Sequence, residues 1–139
     1  MITYVDTSVL IKLMIAEPGS EAAAQVWSTS DDLASACLIG VEARCALAAA
    51  TRARRLTARQ HREAKIELAQ LLDELAIVAI TGDLVEAAAT LAEDQALRAY
   101  DAVHLAAAVL VGADVMSTSD AHLGAAATRI GLHVADPTA

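Results

Sequence analysis

Five short β-type runs alternate with helix-length stretches along the 139 residues, and this alternation restricts the fold more than any other feature. The runs lie at residues 2–5, 33–35, 76–80, 115–118 and 132–135, the last being the weakest. Helical patterns fill the gaps at 8–15, 20–28, 37–54, 57–74, 83–97, 100–111 and 121–130, with Ser20 and Thr57 placed as N-caps. Strands separated in this way predict an α/β fold with a parallel sheet. No repeat or linker interrupts the chain, and its length suits one domain over 1–139.

The core has to be made of small aliphatic side chains, because the chain is 56% hydrophobic yet has no Phe, one Trp and two Tyr. No apolar run approaches the roughly 18 residues of a membrane span. Lys12, Glu17 and Pro18 break the N-terminal apolar stretch before it resembles a signal peptide. The expectation is a soluble, cytoplasmic protein with no membrane partner. Cys37 and Cys45 are eight residues apart in one helical pattern, too far apart for a disulfide, and are expected as buried thiols of a reducing compartment.

A formal charge of −8 argues against a nucleic-acid partner until its distribution is considered. Residues 51–66 hold Arg52, Arg54, Arg55, Arg59, Arg62 and Lys65 against Glu63 alone, so this segment carries +5 and the remainder −13. It reads either as a solvated helical face or as a surface that tracks phosphates.

Four acids stand where chemistry is expected. In open parallel sheets ligands bind beyond the carboxyl ends of the strands, and Asp6 follows the first strand as Asp120 follows the fourth. Glu42 sits inside CLIGVEARCALAAA, with Leu38, Val41, Cys45 and Ala46 as its helical neighbours, which predicts a charge on the apolar, inward side of a helix. Asp101 heads the apolar helix YDAVHLAAAVL. Asp6, Asp101 and Asp120 each have an alternative role as helix caps; Glu42 has none. Buried carboxylates cost several kcal/mol unless paired or metal-bound, and no matching set of buried cations accompanies them. Clustered carboxylates without a supporting Cys or His set favour Mg²⁺ or Mn²⁺, which suits phosphodiester hydrolysis by an activated water.

YVDTSVLIKL, the isolated Glu42, RAYDAVHLAAA and STSDAHLGAAA together resemble the PIN-domain nucleases, in particular the VapC-type toxins of bacterial toxin-antitoxin pairs. The resemblance covers nearly the whole chain. It implies a three-layer fold with a parallel sheet of four to five short strands flanked by helices, and a Mg²⁺- or Mn²⁺-dependent endoribonuclease. It further implies a VapB-type antitoxin that occludes the site, and a homodimer. By motif, Asp6, Glu42, Asp101 and Asp120 match the family's acidic metal-binding positions, while Thr7 or Ser8 and Thr118 match its supporting hydroxyls. Asp114 lies near Asp120 in sequence but precedes its strand, at the wrong end of the sheet.

Several neighbours keep two readings. His104, three residues after Asp101, is a packed or supporting histidine or, with Asp101, part of a softer metal site. His122 belongs to the rim. Tyr100 packs or stacks on a base, and Lys12, Arg44 and Arg98 are solvated or contact phosphate. Among other classes, a haloacid-dehalogenase-like phosphatase needs a second Asp where Ser8 stands, and a receiver domain needs an acid in residues 76–81, which have none. A module that binds RNA or protein without cutting is the non-enzymatic alternative.

Overall fold

A computed structural model describes residues 1–139. The elements follow in the order β1 (Ile2–Val5), α1 (Thr7–Met14), α2 (Ser20–Thr29), β2 (Asp32–Ala36), α3 (Leu38–Arg52), α4 (Ala58–Asp73), β3 (Ala76–Val78), α5 (Gly82–Gln95), α6 (Ala99–Leu110), β4 (Val115–Ser117), α7 (Ala121–Arg129) and β5 (His133–Ala135). All strand pairs are parallel, in the order β3-β2-β1-β4-β5. The expected three-layer α/β architecture is present, with all five runs in one sheet.

The layers follow from the chain's path. From β1 it steps outward to β2 and β3, and α1–α4 pack on one face around Val5, Val9, Leu10, Ile39, Leu47 and Leu68. It then returns to the other side of β1, and α5–α7 cover the opposite face around Tyr4, Ala36, Leu105, Met116 and Leu123. Right-handed crossovers require this change of face when the direction of winding reverses. The reversal falls between β1 and β4, where the loops diverge and leave a crevice at the strands' carboxyl ends. Alternation along β1 sends Tyr4 and Val5 to opposite cores. Small residues suit the centre: Ala102, Ala106, Ala107 and Ala108 of α6 are all buried, so this helix is apolar around most of its circumference.

Several boundaries differ from expectation. α2 is not capped by Ser20: Gly19, at φ 91°, is the residue before the helix. The Ser20 hydroxyl instead accepts from Glu17 N–H and donates to Ile15 O, closing the α1–α2 turn. A Cβ at Gly19 would lie 2.9 Å from Pro137 O, so backbone conformation and space both select glycine. β3 stops at Val78 instead of Ile80, because its partner β2 gives way to α3 after Ala36. Cys37 and Cys45 are exposed and not buried, since the buried stripe of α3 runs through Ile39, Ala43, Leu47 and Ala50. No helix is long and apolar enough to cross a membrane.

Candidate active site

Asp6 ends β1 at the winding reversal. Its N–H donates to Ser117 O across the β1–β4 pair, and its side chain turns back into the protein, 6% exposed. Oδ1 accepts from Ser8 Oγ at 2.5 Å and from Val9 N–H at 3.4 Å; Oδ2 accepts from Thr118 Oγ1 at 2.6 Å. Asp6 therefore caps α1 weakly and is held mainly by hydroxyls, so the capping and site readings coexist. Burial pushes its carboxyl above the ordinary value, outweighing the bonds from Ser8 and Thr118.

The two hydroxyls tie the strand-end loops together. Ser8 Oγ accepts from Ser119 N–H, and Thr118 Oγ1 accepts from Asp120 N–H. Asp120 is the N-cap of α7, accepting from Leu123 N–H at 3.0 Å. Asp101 is not a cap, because α6 starts at Ala99 with Arg98 before it. Arg98 spans the two acids, with Nε 3.1 Å from Asp101 Oδ2 and a terminal nitrogen 3.4 Å from Asp120 Oδ2.

Glu42 joins from α3. It is not enclosed by the apolar neighbours expected for it, since Val41 and Cys45 are exposed; it lies half-buried at the border of the helix's packed face. Its Oε1 accepts from Thr7 Oγ1 at 2.8 Å and pairs with His104 Nε2 at 2.5 Å, while Oε2 has no protein partner. Burial pushes the Glu42 carboxyl up, but His104 and Thr7 outweigh it and bring it below the ordinary value. His104 Nδ1 in turn meets the Tyr4 hydroxyl at 2.7 Å. Burial drives the Tyr4 hydroxyl's pKa far upward, so it stays protonated. This Tyr4–His104–Glu42 chain was not evident in the sequence. The available signals were a tyrosine in an aliphatic strand and a histidine in an Ala/Leu helix.

Two hydrogen-bonded groups therefore meet at the consecutive residues Asp6 and Thr7: Asp6, Ser8, Thr118, Asp120, Arg98 and Asp101 form one, and Thr7, Glu42, His104 and Tyr4 the other. Asp114 is remote from it, bonded to the backbone of Ile2 at the amino end of the sheet. As the side chains stand, no three His, Cys, Asp or Glu groups converge on a single cation position. The donors are nevertheless all oxygen. Asp6 is a buried carboxylate with no cationic side chain bonded to it, Glu42 Oε2 is free of protein donors, and Arg98 compensates only Asp101 and Asp120. This donor chemistry fits a hard divalent cation, provided Arg98 yields its place.

The basic segment divides. α3 ends at Arg52, Arg54 lies in the turn at φ 60°, Arg55 pairs with Glu17 and Arg59 with Glu63. Arg62 and Lys65 line a groove of about 740 Å³ between α3 and α4 together with Arg44. Lys12 is not free for phosphate, since it is buried against Glu17 at 2.8 Å. His122 donates to Ala96 O at the rim, and Tyr100 is exposed and not packed.

The architecture and its strand-end acids define a class, and the comparison with known families agrees: the PIN-domain model matches residues 3–128, so this chain belongs to the PIN-domain family. Within the family it is of the VapC type. It is 35% identical over 136 residues to Ribonuclease VapC45 of Mycobacterium tuberculosis (strain CDC 1551 / Oshkosh), covering 96% of this chain and 94% of the relative. Among solved structures its fold is similar to PAE2754 from Pyrobaculum aerophilum, with TM-score 0.75 and 22% identity over 99% of this chain and 84% of the other. It is also similar in fold to a toxin-antitoxin complex from Klebsiella pneumoniae, with TM-score 0.68 and 20% identity over 97% of each chain.

Proposed function

We propose that residues 1–139 act as one Mg²⁺- or Mn²⁺-dependent endoribonuclease, the toxin of a toxin-antitoxin pair. The observation that carries this reading is the hydrogen-bonded acidic network at the carboxyl ends of β1 and β4, with Asp6 buried at its centre. Asp6, Glu42, Asp101 and Asp120 would hold the cation. Ser8 and Thr118 fix both oxygens of Asp6, and Thr7 fixes Glu42. A bound divalent ion supplies a water of lowered pKa and neutralises charge on the scissile phosphate. Arg44, Arg62 and Lys65 offer a cationic surface for the RNA backbone, and Tyr100 an exposed ring for a base. The 35% identity to a protein named as a ribonuclease supports the reaction. The likeness to a toxin-antitoxin complex supports a VapB-type antitoxin as partner. Action in the cytoplasm and a homodimer belong to the same proposal.

The test is RNA incubated with purified protein, with Mn²⁺ or Mg²⁺ and then with EDTA. Cleavage should need the metal and fall by orders of magnitude in Asp6→Asn and Asp101→Asn, which remove charge at nearly constant shape. RNA that is bound but never cut under any metal condition refutes the enzyme in favour of a binding module. Undiminished cleavage by both variants refutes the site.

A further inference from the structure

We propose that His104 is the positioning residue of Glu42: Tyr4 holds its ring in the Nε2–H tautomer, and Nε2–H binds Oε1 so that Oε2 remains the oxygen available to the site. The cation-binding part of this inference rests on the function proposed above; the tautomer does not. The three side chains come from three elements, Tyr4 from β1, His104 from α6 and Glu42 from α3. Tyr4 is fully buried and His104 is 2% exposed, so water does not share their hydrogen bonds.

The direction of each bond follows from the donors. Ala36 N–H lies 2.9 Å from the Tyr4 oxygen and can only donate, so that oxygen accepts. The hydroxyl proton then needs an acceptor, and the close one is His104 Nδ1 at 2.7 Å. Ser35 also interacts with the Tyr4 hydroxyl, but its own proton goes to Val5 O at 2.8 Å, and the well-formed contact of the Tyr4 oxygen is the one to Nδ1. Nδ1 is therefore the bare nitrogen and Nε2 carries the proton, directed at Glu42 Oε1. Protonating Nδ1 instead would face the buried Tyr4 hydroxyl with two donors and remove the close acceptor of its own proton. The rings meet nearly edge-on, with centroids 5.8 Å apart and planes at 72°, which restricts rotation of the imidazole.

Thr7 binds the same Glu42 oxygen from α1, so the carboxylate is clamped on one oxygen by both helical layers. A carboxylate on a solvent-facing helix rotates freely; this one is presented with Oε2 outward. Partners of this kind behind a metal ligand typically contribute 10- to 100-fold in affinity.

Two measurements on the 139-residue chain test the proposal. The ring nitrogens of ¹⁵N-labelled protein at neutral pH should report a protonated Nε2 and a bare Nδ1 for His104; a protonated Nδ1 overturns the inference whatever the protein's activity. In Mn²⁺ titrations followed by electron paramagnetic resonance, His104→Ala should weaken binding about tenfold or more. His104→Gln, whose amide N–H reaches the position of Nε2, should restore most of the affinity. If the Ala and Gln variants, each folded by circular dichroism, bind Mn²⁺ equally well, His104 merely fills space and the positioning role is wrong. If the unaltered protein binds no Mn²⁺, the proposed metal-dependent function fails, and the nitrogen spectrum still decides the tautomer.

Discussion

Thr118 is a sensitive position at which to test the network, because Thr118→Val removes one hydroxyl at almost constant volume from a site only 1% exposed. Two bonds are lost, the donation to Asp6 Oδ2 at 2.6 Å and the acceptance from Asp120 N–H at 3.0 Å. A bond to a charged acceptor contributes about 1.5–3 kcal/mol, and an ordinary one about 1 kcal/mol. The added methyl returns about 0.8 kcal/mol of apolar burial. The expected cost at neutral pH is therefore about 2–3 kcal/mol, a large share of the roughly 5–15 kcal/mol that holds a domain folded. Thr118→Ser keeps both bonds and loses a methyl near Gly124, for about 1 kcal/mol. Urea unfolding in EDTA measures all three proteins. The order should be Thr, Ser, Val, opposite to the order of side-chain hydrophobicity for the two variants. The Val penalty should also shrink as pH falls, because Asp6 already has a raised folded pKa and a protonated carboxyl requires fewer donors. A valine variant as stable as the parent at neutral pH refutes the claim that Thr118 holds Asp6 and Asp120.

Arg98→Met removes the only cation bonded to Asp101 and Asp120 and should tighten Mn²⁺ binding, by about two- to fivefold given how exposed the arginine is; calorimetry showing weaker binding would reverse the assignment of Arg98 as a competitor. Glu17, whose carboxyl is lowered by Lys12 and Arg55 against the opposing effect of burial, contributes stability at neutral pH that is lost as pH falls from 4.5 through its lower folded value. Glu17→Gln should thus cost about 1 kcal/mol at pH 7 and progressively less as pH falls below 4.5, read from denaturation across that range. Arg44→Gln, Arg62→Gln and Lys65→Gln combined should flatten the salt dependence of single-stranded RNA binding by about 2 in log–log slope if all three meet phosphates. Arg59→Gln, which breaks only an exposed pair with Glu63, should leave the slope unchanged.

The alternation of β-type runs and helical stretches was enough to predict a parallel α/β sheet, because hydrophobic period is a local property that each segment carries in its own residues. The positions of Asp6 and Asp120 after their strands were legible for the same reason, whereas Thr7, Ser8 and Thr118 were singled out only by the family resemblance. What could not be read was any relation set by distant segments. Strand order placed β1 beside β4, so residues 112 apart, Asp6 and Thr118, share a hydrogen bond. Packing angle turned Cys45 outward and Glu42 toward α1 and α6, which no neighbour count along α3 could foresee. The basic run looked uniform, yet Arg55 joins Lys12 of α1 on Glu17, while Arg62 and Lys65 line a groove with Arg44 of α3. His104 kept two readings in the sequence, and nothing there paired it with Tyr4 until the sheet and α6 brought them within 2.7 Å. Side-chain partnership depends on three-dimensional closure, and short-range pattern records the need for a partner but not its identity.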